Sequence, residues 1–327
     1  MAELPAPTIS VAIELDNAAF EDYHVWSARI RRLCDWMHES LAESIVEIFL
    51  VHGESHAAGV SDFLAAPWAD YCFRLKALPV ADSQAHYYAM KNAAAEQAVG
   101  ELIAFLDSDL TPCSGTFEAF VSPLYDTMQV ISCGYTSFPL DTFIAKVYAL
   151  NWVFPIHPFT KSIGKKALLA SNFVARRDWF LSNKFETDLG GFKVACTVMS
   201  RTLTRQGYVI NRPDVWFWHA VWHTSWRFFV WRALVMGRDA DRKFACLGND
   251  RRVGRIRFCL GAFVDDLRHI RSRHRLYGRG AGLSSAGMIL SVCAGSLFYM
   301  LVRSAQFSSA LRAVNRDVEW IPGRFVT

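Results

Sequence analysis

The chain has 327 residues, 52% of them hydrophobic, and its mean hydropathy is +0.14. This length suits one large α/β domain with a C-terminal extension, or two domains, and the composition is too polar for a multispanning membrane protein. The net charge of +4 is small but unevenly spread, and the eight cysteines (34, 72, 113, 133, 196, 246, 259 and 293) include no Cys-x-x-Cys pair. Neither a zinc site nor a disulfide framework is therefore expected, and a reducing compartment is the simpler reading.

The N-terminal half alternates as a parallel α/β sheet does. Ile9–Ile13 is a first strand, too short for a secretory leader and soon followed by Glu14-Leu15-Asp16-Asn17. No Gly-x-Gly-x-x-Gly follows it, which argues against a dinucleotide site. Glu21–Ala42 reads as a mostly amphipathic helix, Ile45–Val51 as a second strand ending in His52-Gly53-Glu54, and Tyr71–Leu75 as a third. An Ala-rich helix over 87–99 comes next, with Asn92 a plausible N-cap and Gly100 a plausible C′ residue. Leu102–Leu106 is a buried strand that ends abruptly in Asp107-Ser108-Asp109.

Two carboxylates one residue apart project to the same side of extended backbone. They sit at the end of the strand where open α/β sheets bind ligands. Packing has no use for two anions so close, because each raises the cost of ionising the other. A hard cation such as Mg2+ or Mn2+ holding a diphosphate removes that conflict. A strand exit leading to a helix cap is the plainer alternative.

Further on, Val130–Gly134 reads as a strand and Thr142–Trp152 as an aromatic-rich helix. Ala170-Ser171-Asn172-Phe173-Val174-Ala175-Arg176-Arg177 follows, and then Gly207-Tyr208 and a segment ending in Trp218-His219. Between Arg251 and Arg279 arginines alternate with Ile256, Phe258, Leu260, Phe263, Val264, Leu267 and Ile270, a basic amphipathic pattern suited to an anionic lipid surface. A nucleic-acid arm would not normally be followed by an uncharged segment such as 286–302. That segment is slightly short for spanning hydrocarbon, so a snug span, a buried helix and a re-entrant hairpin all stay open. The arginines on its N-terminal side would keep the preceding domain cytoplasmic. The expected organisation is a domain over 1–242 and a membrane-associated region over 243–327.

The block from Asn92 to Asp109 resembles the core of family 2 glycosyltransferases, which have the GT-A fold. There, an Asn-x-Gly-x-x-x-Ala-x-Gly-Glu helix leads into a strand ending in Asp-x-Asp; this chain has Ala94 at the glycine position. The match covers roughly residues 8–242. It implies an α/β fold with a mostly parallel sheet, flanking helices and C-terminal amphipathic and apolar helices.

The resemblance implies Glu14, Asp16, Glu54, Lys91, Asn92 and Asp107 around a nucleotide, the alternative being solvated loops and caps. Asp107 and Asp109 would bind Mn2+ or Mg2+, with His219 completing the set and His223 as a competitor. Asn172, Arg176 and Arg177 would line the acceptor side, where one arginine could neutralise a diphosphate. Either arginine could instead pair with Glu186 or Asp188 on the surface.

One departure matters. The family places Glu-Asp, whose aspartate is the general base, upstream of Gly-Tyr, where this chain has Ala195-Cys196. A subset of the family is similar here, with a segment like Phe192-Lys193-Val194-Ala195-Cys196, a Tyr-Tyr-x-x-Lys-Asn before the helix and an Arg-Ala-x-x-x-Gly-Arg-Asp at 232–239. The nearest carboxylates that could take the proton are Glu186 and Asp188.

The resemblance thus implies an inverting, metal-dependent enzyme that moves a sugar from a nucleotide-diphosphate donor to a hydroxyl of a glycan or lipid-linked acceptor. Cell-surface polysaccharide or glycolipid synthesis is the implied setting, with a membrane surface and no nucleic acid as partner. The alternative is an inactive relative that binds nucleotide-sugar as a scaffold.

Overall fold

The computed structural model describes residues 6–68, 71–81, 86–152, 154–160, 167–189, 194–220, 226–246 and 252–311. The chain forms two compact units that interleave along the sequence. The first comprises Met1–Ser137, Ile163–Glu186 and Val198–Ala220, and the second Phe138–Ser162, Thr187–Thr197 and Val221–Thr327. The sequence reading instead draws a single boundary after residue 242.

In chain order the elements of the first unit begin with β1 (Ile9–Glu14), α1 (Tyr23–Leu41), β2 (Ile45–His52), α2 (Ala57–Ala65) and β3 (Arg74–Pro79). They continue with α3 (Tyr87–Gln97), β4 (Leu102–Asp107), β5 (Leu110–Ser114), α4 (Phe117–Val121), β6 (Ile131–Cys133) and β7 (Tyr135–Ser137). After α5 (Phe143–Asn151) of the second unit come β8 (Asn172–Arg176) and α6 (Arg177–Ser182). Next are α7 (Val194–Arg205), whose residues divide between the units, and β9 (Trp216–His219). Three long helices, α8 (Trp226–Cys246), α9 (Arg252–Tyr277) and α10 (Ser285–Leu311), complete the second unit.

The first unit holds a six-stranded sheet in the order β3-β2-β1-β4-β8-β6. The pairs β3-β2, β2-β1 and β1-β4 are parallel, and β8 runs antiparallel to both β4 and β6. A second sheet, β5-β9-β7, begins where β4 ends. Every residue of β1 and β4 is buried, as suits parallel strands covered on both faces. One face packs Ile9, Val11 and Ile13 in the core with the α1 stripe Trp26, Ile30, Leu33 and Met37. On β4, Phe105 stacks on Phe173 of β8 at 4.6 Å between ring centroids. Burying a side chain of that size stabilises the fold by about 1.5–3 kcal/mol.

Three local expectations are corrected. The third strand is Arg74–Pro79 rather than Tyr71–Leu75, because Tyr71 and Phe73 pack with Trp68 and His38 ahead of it. Helix α3 is capped by His86, whose Nδ1 accepts from the Ala89 amide at 3.4 Å, so Asn92 lies inside the helix. Gly100 follows the Ala98 C-cap, and its requirement is steric: a Cβ there would stand 2.5 Å from the Ser10 nitrogen of β1.

In the second unit, α10 packs against α5, α8 and α9. Two glycines allow this. A Cβ on Gly237 would lie 2.2 Å from the Val302 carbonyl oxygen, and one on Gly295 would lie 1.8 Å from Asn151 Oδ1. Inside, His274 Nε2 meets Ser291 Oγ at 2.7 Å, and Tyr299 donates to the Asn151 carbonyl at 2.9 Å. Among the described residues α10 is the one helix long and apolar enough to cross a bilayer.

Candidate active site

The strand order places β1 beside β4 although β2 and β3 intervene in sequence, so the chain winds outward in both directions from this pair. A crevice at the carboxyl ends of such strands is where open α/β sheets bind ligands. Glu14 and Asp107 are the paired last residues of β1 and β4. The Asp-Ser-Asp segment then turns the corner between the two sheets, and its backbone is fixed from three sides. Asp107 N donates to the Ser171 carbonyl (2.9 Å), Ser108 N to the Glu14 carbonyl (3.2 Å), and Ala220 N to the Asp109 carbonyl (2.9 Å). From α1, Arg29 donates to the Ser108 carbonyl at 2.9 Å while a two-pronged pair with Glu21 (2.7 and 2.8 Å) holds its guanidinium.

Asp107 is buried and held by side chains of α3. Lys91 Nζ donates to it at 2.8 Å and the Tyr87 hydroxyl lies 2.9 and 3.0 Å from its two oxygens. Asn17 Nδ2 bridges Asp107 (3.2 Å) and Glu14 (2.9 Å), and Glu14 also accepts from the Asp16 amide at 2.8 Å. Lys91 thus pairs directly with Asp107, and its charge also acts on Glu14 and Asp16. Burial, and next the Asp107 charge, hold Glu14 well above the usual carboxylate range. The same two causes push Asp16 up to about 7. For Asp107 itself burial raises the pKa in spite of Lys91.

Asp109, fully buried, faces the second sheet, where His219 Nε2 lies 3.3 Å from its Oδ2. His219 Nδ1 is 2.9 Å from the Ala220 carbonyl, an acceptor, which fixes the proton on Nδ1 in the neutral ring and turns the Nε2 lone pair toward the carboxylate. A spacing of this size suits two neighbouring ligands of one cation, since octahedral bonds of about 2.1 Å put adjacent ligand atoms about 3 Å apart. Of the two expected cations the donor set, one carboxylate oxygen and one imidazole nitrogen, suits Mn2+, since Mg2+ takes oxygen ligands. Among the described residues no three His, Cys, Asp or Glu side chains converge as a metal-binding group. Of the expected trio, Asp107 is engaged by Lys91, Tyr87 and Asn17, while Asp109 and His219 face each other. His223 lies outside the described residues.

Other expected residues fall elsewhere. Asn92 is spent on structure, donating to the Phe185 carbonyl (2.9 Å) and accepting from its amide (3.1 Å). Asn172 does reach the site edge: it pairs with Leu106 at the start of β8 and donates to Thr136 Oγ1 at 2.5 Å. Arg176 and Arg177 do not. Because β8 runs antiparallel, Arg176 pairs with Leu102, about 13 Å along the strand from Asn172. Its guanidinium binds the carbonyls of Leu124 (2.6 Å) and Gln129 (2.9 Å), and that of Arg177 binds the Ala95 carbonyl (3.2 Å). Glu54 is exposed in the turn after β2, Glu186 is exposed after Phe185, and Asp188 is exposed in the second unit.

Arg29 was not singled out by sequence, and Tyr87 and Asn17 entered only within Tyr-Tyr-x-x-Lys-Asn and Glu14-Leu15-Asp16-Asn17, without a role at the site. Tyr87 had a legible signal, standing four residues before Lys91 and hence on the same helix face. Arg29 had none, since its target is a backbone carbonyl 79 residues away.

No family model matches the chain, and neither does any curated protein. Among solved structures it is similar to a mannosyltransferase from Pyrobaculum calidifontis in complex with GDP-Man and Mn2+, at 13% identity and a TM-score of 0.58. That match covers 93% of this chain and 87% of the other. Mannosyl-3-phosphoglycerate synthase from Rubrobacter xylanophilus matches at 16% identity and a TM-score of 0.45, over 74% and 75% of the two chains. The shared architecture is the GT-A glycosyltransferase fold.

Proposed function

We propose that the protein is an inverting, metal-dependent glycosyltransferase of family 2, moving a sugar from a nucleotide-diphosphate donor to a hydroxyl of a glycan or lipid-linked acceptor. The observation that carries this reading is the Asp109–His219 pair, 3.3 Å apart, at the corner where β4 enters the second sheet. The Pyrobaculum structure, solved with GDP-Man and Mn2+ on a similar fold, supports the same reading.

Asp109 and His219 would hold the cation, Mn2+, whose chemistry is to stabilise the charge developing on a departing diphosphate. Glu14 and Asp16, at the end of β1, are assigned to the nucleoside hydroxyls, which carboxyl groups bind as donor or acceptor according to their protonation. Lys91 and Tyr87 orient Asp107 beside them. Inversion is a single displacement: the acceptor hydroxyl attacks the anomeric carbon from the face opposite the diphosphate and gives its proton to a base. Glu186 and Asp188 are the carboxylates put forward for that base. The reading places the transfer on the cytoplasmic side of a membrane, in cell-surface polysaccharide or glycolipid synthesis.

Ala195-Cys196, standing where the family has its base motif, favours a binding-only relative as the second reading. Calorimetric titration with UDP, GDP and dTDP, each with and without Mn2+, tests the first. One nucleotide should bind in a metal-dependent way, and Asp109→Ala should abolish that binding while the circular dichroism stays unchanged. Binding that ignores both metal and substitution overturns it. Slow donor hydrolysis without acceptor separates enzyme from scaffold.

A further inference from the structure

Helix α10 is apolar on its outer side as well as its inner one. Its buried face packs Phe298, Tyr299 and Val302 together with Ser291 (0% exposed) and Gln306 (1%), yet Ile289 (65%) and Leu290 (61%) stand outside. Leu297, Met300 and Phe307 continue the outer row at helical spacing. A helix that only served a soluble core would carry polar residues on that outer side. Exposed apolar surface of this kind marks a contact face.

Charge identifies what covers it. Arg257, Arg268, Arg271 and Arg275 are all exposed on α9, at spacings of eleven, three and four residues that keep them on one side of the helix. Asp265 beside Arg268 is the acidic residue of that row. An apolar row on one helix and a basic row on its packed neighbour match the acyl and phosphate layers of an anionic bilayer.

The packing also decides the orientation. Along its length α10 is tied to polar groups of the neighbouring helices: Ser291 to His274 (2.7 Å), Arg303 to Asp266 (2.6 Å) and Ser309 to Asp241 (2.8 Å). A crossing α10 would carry those groups, and the arginine row of α9, into hydrocarbon, where each charge is costly.

We infer that the second unit binds an anionic membrane surface with α10 lying in the interface plane rather than spanning, its outer row in the acyl region and the α9 arginines on lipid phosphates. This rests on the membrane setting of the proposed function but not on its nucleotide chemistry.

The full chain is tested by flotation with phosphatidylcholine vesicles, with and without phosphatidylglycerol, followed by alkaline carbonate washing. The expected result is flotation with the anionic vesicles alone and release by carbonate. Ile289→Asp with Leu297→Asp should lower partitioning at least about tenfold. Each of Arg268→Ala and Arg271→Ala should lower it about fivefold, with lysine at either position restoring it. Retention after carbonate overturns the in-plane orientation. Absence of flotation, or a dimer dispersed by Leu297→Asp, gives the face to a second copy and overturns the inference. Calorimetry with nucleotides needs no vesicles, so failure of one reading is distinct from failure of the other.

Discussion

Both units bury polar groups, but they balance them differently. In the helical unit buried cations and imidazoles end on carbonyls, a hydroxyl or one carboxylate: Arg273 on the Ala149 and Phe154 carbonyls, His274 on Ser291 and the Ile270 carbonyl, and Arg303 on Asp266. Arg273 Nε and Asn151 Oδ1 are left over. In the sheet unit, Glu14, Asp16 and Asp107 gather around Lys91, and Asp109 faces an imidazole. A scaffold completes its buried charges internally, because an uncompensated one is costly. Carboxyls with strongly shifted pKa values, gathered at the mouth of a topological switch, are a candidate ligand site.

That contrast can be broken most severely at Lys91. Lys91→Met leaves Asp107 buried without its cation and should cost about 3–5 kcal/mol in chemical denaturation. Adding Asp107→Asn should recover much of the loss. If the single variant unfolds at the wild-type midpoint, the ammonium is not what balances the cluster. Asp109→Ala should weaken Mn2+-dependent nucleotide binding by at least a factor of about 100, or about 2.7 kcal/mol, with little change in thermal stability. A variant that loses stability and keeps binding would reverse the roles assigned to the two aspartates.

On the scaffold side, Gly295→Ala inserts a methyl 1.8 Å from Asn151 Oδ1 and should cost about 1–3 kcal/mol by forcing α10 off α5. Donor binding measured in parallel should be unchanged, since the two units keep separate accounts of polarity.

A further effect is in pH. Asp16, held near 7 when folded against an ordinary unfolded value of 3.8, binds its proton more readily in the folded state. Its contribution to stability is present below about pH 4 and is lost as the pH rises to about 7. Melting temperatures of wild type and Asp16→Asn should therefore differ most above pH 7, the variant being the more stable there, and differ less on acidification. Parallel curves would show that Asp16 carries no such strain.

Much of this was legible in the residues and some was not. The strands β1 and β4 declare themselves because parallel strands covered on both faces are unbroken apolar runs, and the Asp-Ser-Asp corner follows directly. Edge strand β3, Arg-Leu-Lys-Ala-Leu-Pro, has no such run, and the aromatic residues before it drew the strand too early. The separate engagement of the two aspartates was hidden, since it depends on which face of α3 turns to β4. Arg176 was misplaced for a simpler reason: sequence does not disclose that β8 runs backwards, and reversing a strand exchanges the residues at its two ends. Asn172 gains the site by the same reversal.

The corner formed by Asp107, Ser108 and Asp109 has a consequence for how the chain comes to be functional. Its three backbone bonds come from Glu14, Ser171 and Ala220, positions spread over some two hundred residues of chain. Contacts of such long sequence separation form late, because their loop-closure entropy must be met first. A nascent or truncated chain ending before His219 would lack that side chain and, with Ala220, one of the three ties. On the proposed function, nucleotide recognition would be withheld until synthesis has passed that point, so that ligand binding would report a finished first unit.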